Sequence, residues 1–195
     1  AAITHVGVQA DEAIGSEILP KQHARSKQPR PLRLVDGRKG KALALDAGLV
    51  LWPHLHLSNA QGRIQFHVLL KDGAQGALLD AGRLGVQLSR DGIALSKTVY
   101  ETFKDKQGRE RRRSRQEHVT GKKLGPGWHL IDLAWNDGKA TLSVDGERVA
   151  EQKIDGLGFA EGRGHDLEKP TFINIGGSRN KGIDAIDELK CFGTP

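Results

Sequence analysis

Short runs of alternating apolar and polar residues, each closed by a glycine turn, constrain this chain more than any other feature. In Arg63-Ile64-Gln65-Phe66-His67-Val68-Leu69-Leu70, the side chains of Ile64, Phe66, Val68 and Leu70 share one face at period two, and Lys71-Asp72-Gly73 is expected to end the strand. Leu84, Val86 and Leu88 repeat the pattern before Asp91-Gly92. Ile131, Leu133 and Trp135 do so again before Asn136-Asp137-Gly138, and residues 140–144 follow, closed by Asp145-Gly146. An Asp-Gly pair between alternating runs signals a hairpin, because such turns need residues that accept positive φ. No segment carries a 3.6-residue period with helix caps. Residues 3–8 are expected as a short edge strand, and 171–175 and 186–192 as the closing strands. Evenly spaced strands of this kind predict an all-β fold of two packed antiparallel sheets.

The chain has 195 residues, enough for one domain with a sizeable core. Its 25 glycines suit many turns, and an aromatic content of 5% leaves the core to Leu, Ile and Val. No apolar run approaches the roughly 18 residues of a membrane span. A single cysteine, Cys191, excludes an intramolecular disulfide but not export. Methionine is absent, so the chain reads as a mature product or an excised domain. Ala1-Ala2-Ile3 would fit the residues just after a signal-peptidase cut, so a periplasmic or secreted location, or a place in a larger exported protein, is expected. The net charge of +6 is uneven. Residues 21–41 hold eight basic side chains and one acid, and residues 104–115 hold seven basic and two acidic. The remainder is net acidic.

Several motifs then fall in the order of a known family. Gly37-Arg38-Lys39-Gly40-Lys41-Ala42-Leu43-Ala44-Leu45 resembles the entry strand of laminin G-like, concanavalin A-like domains. Gly62 to Val68 is similar to a later strand of that family, with His67 at a position usually aromatic. Gly127-Trp128-His129-Leu130 through Trp135-Asn136-Asp137-Gly138-Lys139, and then Leu142-Ser143-Val144-Asp145-Gly146, resemble its central hairpins. Ile173-Asn174-Ile175-Gly176-Gly177 and Ile186-Asp187-Glu188-Leu189 resemble its closing pair. The resemblance covers residues 37–193 and implies a two-sheet jelly-roll sandwich. The domain proper is taken as 37–195, with 1–36 adding an edge strand and a basic loop to it. Many relatives hold calcium with a glycine- and asparagine-rich turn that has no counterpart here. Asp187, which shares period two with Leu189 and Cys191, is expected to point inward or to a rim. There it would accept backbone N–H bonds or serve as a calcium ligand.

The resemblance also names chemistry to look for. Related laminarinase-like hydrolases carry Glu-x-Asp-x-x-Glu or Glu-x-Asp-x-Glu on one strand, and no Glu here is followed by Asp two positions on. Alginate-lyase-like enzymes carry a Gln-Ile/Val-His element similar to Gln65-Phe66-His67, but their Arg-x-Glu-x-Arg and Tyr-Phe-Lys-Ala-Gly strands are missing. Tyr100 is the one tyrosine that could join His67. By alternation Gln65 and His67 face away from the core, toward a concave face or solvent. His54 and His56 could share a strand face as metal ligands, yet no third ligand lies nearby, so they read as surface histidines. Gly156-Leu157-Gly158 lacks the strand-turn-helix setting of a phosphate cradle, and Cys191 reads as a small buried hydrophobe.

The sharpest feature is the basic run Lys104, Lys106, Arg109, Arg111, Arg112, Arg113 and Arg115. It is expected as a long hairpin tip, either simply solvated or an anion site, since Arg binds sulfate, carboxylate and phosphate in bidentate fashion. No aromatic residue interleaves the run, which disfavours nucleic acid. The expected function is a non-catalytic recognition or structural module for an anionic polysaccharide or an acidic partner. The alternative is a lyase-like enzyme working on the concave sheet.

Overall fold

A computed structural model describes residues 3–6, 16–20, 33–45, 49–53, 60–155, 173–177 and 179–192. Among them every regular element is a strand: β1 (Ile3–Val6), β2 (Ser16–Pro20), β3 (Leu34–Asp36), β4 (Lys41–Ala44), β5 (Leu49–Pro53), β6 (Gln61–Ala81), β7 (Leu84–Ser89), β8 (Gly92–Lys104), β9 (Glu110–Thr120), β10 (Gly127–Asn136), β11 (Lys139–Val144), β12 (Glu147–Lys153), β13 (Ile173–Ile175) and β14 (Lys181–Phe192). No helix among these residues is long and apolar enough to cross a membrane.

All pairings are antiparallel and make two layers. The first runs β12-β11-β10-β6-β14, with β1 and β4 on the far side of β14 and β3 outside β4. The second runs β9-β8-β7-β6-β13-β5-β2. The shared member is β6, so Asp72-Gly73 does not end a strand as its composition suggests. Residues 61–70 pair with β10, and residues 76–81 pair with β7. Between them the chain bends at Gly73 (φ 66°) and Gly76 (φ 132°), a backbone region that β-branched and bulky residues avoid. Asn180 fastens this bend. Ala77 N donates to its Oδ1 at 3.0 Å, and its Nδ2 donates to Ala77 O at 2.7 Å.

The core lies between the layers. Ile64, Phe66, Val68, Ile131, Leu133, Trp135 and Leu142 of the first sheet meet Leu79, Leu84, Val86, Ile93, Leu95 and Ile175 of the second, all essentially solvent-free. Burial of each such side chain contributes ~1.5–3 kcal/mol relative to exposure. Gly62 is required by this packing, because a Cβ there would overlap the indole of Trp135 directly opposite. The turns follow their sequence. Asp137-Gly138 (φ 48° and 75°) and Asp145-Gly146 (φ 54° and 84°) both use two positive-φ residues, which matches the twist of the flanking strands. The β7–β8 turn sits one residue earlier than expected, at Arg90-Asp91, because Ser89 pairs with Gly92.

Candidate functional site

Alternation along β6 sends Arg63, Gln65, His67, Leu69 and Lys71 to the outer face of the first sheet. Opposite Gln65 on β10 stands Asp132. Arg63 grips it in bidentate fashion, Nε to Oδ1 at 2.8 Å and Nη2 to Oδ2 at 2.6 Å, and Gln65 Nε2 donates to Oδ2 at 3.1 Å. The guanidinium of Arg63 also lies 5.7 Å from the ring centre of Phe192. This end of the face is a closed lattice of matched charges.

His67 lies beside Arg38, from the β3–β4 turn, and Glu188, from β14. Arg38 Nη1 contacts His67 Nε2 and lies 3.3 Å from Glu188 Oε2. A guanidinium only donates, so Nε2 accepts and the proton is assigned to Nδ1. That nitrogen stands 3.0 Å from Glu188 Oε2 but lacks hydrogen-bond geometry, and it has no other partner among the described residues. Burial first, and then the Arg38 charge, pull the imidazole below its ordinary value of 6.5, against the opposing pull of Glu188 and Asp187. His67 is therefore neutral at neutral pH.

Glu188 reaches His67 through a break in alternation. The register of β14 against β6 slips between Asp187 and Lys190, and Glu188 adopts φ 50°. Such a bulge re-aims side chains. It places Asp187 opposite His67, not on the face shared by Leu189 and Cys191 that period two implies. Asp187 is 3% exposed. Its Oδ2 accepts the Arg38 amide and its Oδ1 accepts the Glu188 amide, both at 2.8 Å. Gly37 makes room for it, since a Cβ there would lie 2.7 Å from Oδ2. Asp187 thus ties the β3–β4 turn to the bulge. Among the described residues, no group of three or more His, Cys, Asp or Glu gathers as metal ligands, around Asp187 or elsewhere.

The basic run forms the end of the β8–β9 hairpin on the second sheet, with Lys106 and Arg109 in its turn and Lys104, Arg111, Arg112, Arg113 and Arg115 on its strands. β8 and β9 stay in register from Ala94↔Thr120 to Lys104↔Glu110, and only residues 105–109 turn. The outer half is a two-stranded ribbon exposed on both faces. Asp105 organises the turn. Its Oδ1 accepts the Gln107 and Arg109 amides at 2.9 Å, and its Oδ2 takes Arg109 Nε and Arg111 Nε at 3.1 Å. These bonds hold the Asp105 carboxyl below the usual carboxylate range, the Arg109 amide contributing most. Arg113 pairs with Glu101 at 2.8 Å, and Arg115 bridges Glu101 at 2.9 Å and Glu117 at 2.7 Å. Arg112, on the other face, lies 4.0 Å from the centre of the Tyr100 ring, and Arg113 lies 5.6 Å from that of Phe103. Aromatics therefore do interleave the arginines, contributed by the partner strand across the ladder. Lys104 and Lys106 carry no ion pair among the described residues.

His67 and Tyr100 occupy different sheets and face opposite ways, so the structure does not bring that pair together across one groove. His129 is held by Asp145 Oδ2 at 2.8 Å and Gly125 O at 3.0 Å. Cys191 is buried, which pushes its thiol up to about 12. His54, His56, Gly156-Leu157-Gly158 and the basic loop at residues 21–32 lie outside the described residues. Sequence reasoning missed Arg63, Asp132, Arg38 and Glu188. Arg63 shares period two with Gln65 and His67 and was within reach. Glu188 was not, because a bulge leaves no mark in an alternating pattern.

No family model matches the sequence, and no curated protein does. Among solved structures the chain is similar to domain 4 of an extracellular GH43 arabinanase from Geobacillus stearothermophilus, in complex with arabinotriose. The TM-score is 0.57 at 15% identity, covering 91% of this chain and 82% of that one. It is also similar to an endo-β-1,4-glucuronan lyase from the fungus Trichoderma reesei, with TM-score 0.51, 11% identity, and 92% and 96% of the two chains covered. Likeness at such identities speaks to backbone architecture, and with the strand order above it shows an antiparallel, concanavalin A-like jelly-roll sandwich.

Proposed function

We propose that this chain is an extracytoplasmic polysaccharide-recognition module that engages anionic glycan through the β8–β9 ribbon. The observation that carries the reading is the ribbon's construction. Between Lys97 and Glu117 it holds eight basic side chains against four acidic ones. Arg111, Arg113 and Arg115 project from one face at intervals of about 7 Å, two strand residues each. Their acidic partners use only part of each five-donor fork, so the outward N–H groups remain for a ligand and their positions are set beforehand. Arg112 on Tyr100 offers a flat cationic platform on the opposite face. The similarity to a domain that binds arabinotriose and to an enzyme acting on glucuronan supports glycan as the ligand class.

Affinity chromatography on heparin and on immobilised polyglucuronate tests this. Retention should fall steeply with salt, and should be largely lost when Arg111, Arg112 and Arg113 become Ala. Unchanged retention of the triple variant, or tighter binding to single-stranded DNA than to either glycan, overturns the reading. The lyase alternative has one observation in its favour, the neutral imidazole of His67 beside Gln65 on the outer face. Release of unsaturated uronate from alginate or polyglucuronate, abolished in His67→Ala, would establish it.

A further inference from the structure

The outer row of β6 does not stop at His67. It continues through Leu69 to Lys71, and there the face deepens into a cleft of about 450 Å³ bordered by β3, the end of β4 and the start of β14. We propose that this cleft is a subsite for one uncharged sugar residue of a polysaccharide. The inference rests on the polysaccharide reading above but uses no residue of the ribbon.

Small residues and backbone bonds build the cleft. Ala185, opposite Leu69 and Ala44, lines the cleft, so a methyl group lies where a larger side chain would fill the floor. The register of β14 slips on both sides of Ile183, and Gly182 turns at φ 62°. Leu45 N donates to Asp184 O at 2.7 Å, and Ala44 N donates to Arg33 O at 2.9 Å. The end of β4 therefore fixes the backbone of two charged residues at the rim. Val35 and Leu69 give the cleft apolar wall.

The rim chemistry selects the ligand. Lys71 Nζ lies 2.7 Å from Asp184 Oδ2, and Lys41 Nζ lies 2.7 Å from Asp36 Oδ1. A carboxylate or sulfate entering here would meet Asp36 and Asp184 along with the cations. An apolar guest would take water from the Asp184 carboxylate, which is 32% exposed beside Lys71, without replacing its hydrogen bonds. Vicinal hydroxyls satisfy both kinds of rim group, since each accepts from an ammonium and donates to a carboxylate, while the C–H face of a sugar ring lies on Leu69 and Val35. The volume lies within the roughly 300–1,000 Å³ of small-molecule sites.

Amide-resolved NMR titration of the full chain with arabinotriose, xylotriose, maltotriose and trigalacturonate tests the assignment. At least one neutral trisaccharide should shift Leu69, Ile183 and Ala185, with an affinity insensitive to salt. Asp184→Ala and Lys71→Ala should each weaken it about tenfold, the loss expected of one hydrogen bond to a charged group, with heparin retention unchanged. The inference is overturned if no neutral trisaccharide shifts these amides at about 50 mM, if trigalacturonate binds more tightly, or if Asp184→Ala leaves affinity unchanged. A ribbon that fails to bind polyanions would leave these titrations interpretable, so the two ideas fail separately.

Discussion

A neutral imidazole wedged against a guanidinium carries a pH signature whose sign is fixed. His67 faces Arg38, Glu188, Asp187 and Lys190, and its pKa in the folded chain lies below the ordinary 6.5. As pH falls, the unfolded chain takes up that proton first. The stability His67 contributes is therefore full above 6.5 and is lost as pH falls through the folded value. His67→Gln keeps much of the side chain's volume and an acceptor for Arg38, so thermal melts between about pH 7 and 5 should show a shallower loss of stability than the wild type. An identical slope would mean that His67 is already charged or that Arg38 does not face it. The neighbouring Asp187 makes a separate forecast. Its carboxylate accepts two backbone amides, whereas the asparagine of Asp187→Asn can accept one and turns an NH₂ group toward the other. The expected cost is ~1–3 kcal/mol, or roughly 2–4 °C of melting temperature for each kcal/mol in a chain of this size. Both of its oxygens serve the backbone, so calcium should leave the wild-type melting temperature unchanged. A rise with calcium that a chelator reverses would make Asp187 a metal ligand instead.

At the scale of the element, the β8–β9 ribbon separates charge from stability. Arg113 and Arg115 both pair with Glu101, on a ribbon exposed to water. Such pairs contribute about 0–1 kcal/mol, so the triple arginine variant should melt within a few degrees of the wild type and remain a fair test of binding. Glu101→Gln reads the same pairs from the other side. It removes one negative charge and releases two guanidiniums, so heparin retention should lengthen. Shortened retention would mean that Glu101 matters by orienting the arginines more than by neutralising them. The ribbon also shows where the sequence was legible. A hairpin was expected because Ile93 and Leu95 lead into the run and Val119 leads out of it. The polarity of residues 110–115 excludes a core strand and predicts only a hairpin tip, not the paired strand that they form. Polarity excludes only burial, however, and a ribbon beyond the edge of a sandwich needs no apolar face. Cross-strand placement of Tyr100 beside Arg112 follows from register, which a linear scan for interleaved aromatics does not see.

Over the whole molecule, the alternating strands and positive-φ turns from residue 127 to 153 were legible because local chemistry decides them. The passage of β6 between layers was not. Asp72-Gly73 satisfies every local criterion for a turn, yet Leu79 and Ala81 continue the strand into the second sheet. The cue is Asn180, 103 residues from its partner Ala77. The cleft at Lys71 was hidden for the same reason, since its walls come from three segments brought together only by the fold. That crossing makes a prediction about cooperativity. One strand belongs to both sheets, and the core lies between them, so neither sheet keeps its buried face if the other unfolds. Trp128 and Trp135 both sit on β10 and, in a Trp52→Phe background that removes the tryptophan of β5, report the first sheet by fluorescence, while far-UV circular dichroism reports both. The two signals should fall together in urea, as one transition. Asn180→Ala removes both partly buried hydrogen bonds at the crossing and leaves the Ala77 amide and carbonyl without them, at a cost of ~1–3 kcal/mol. Because the crossing serves both layers, that variant should shift the two signals by the same amount. A variant whose fluorescence midpoint holds while its circular dichroism midpoint moves would show that the second sheet melts alone, and that β6 joins two units that fold independently.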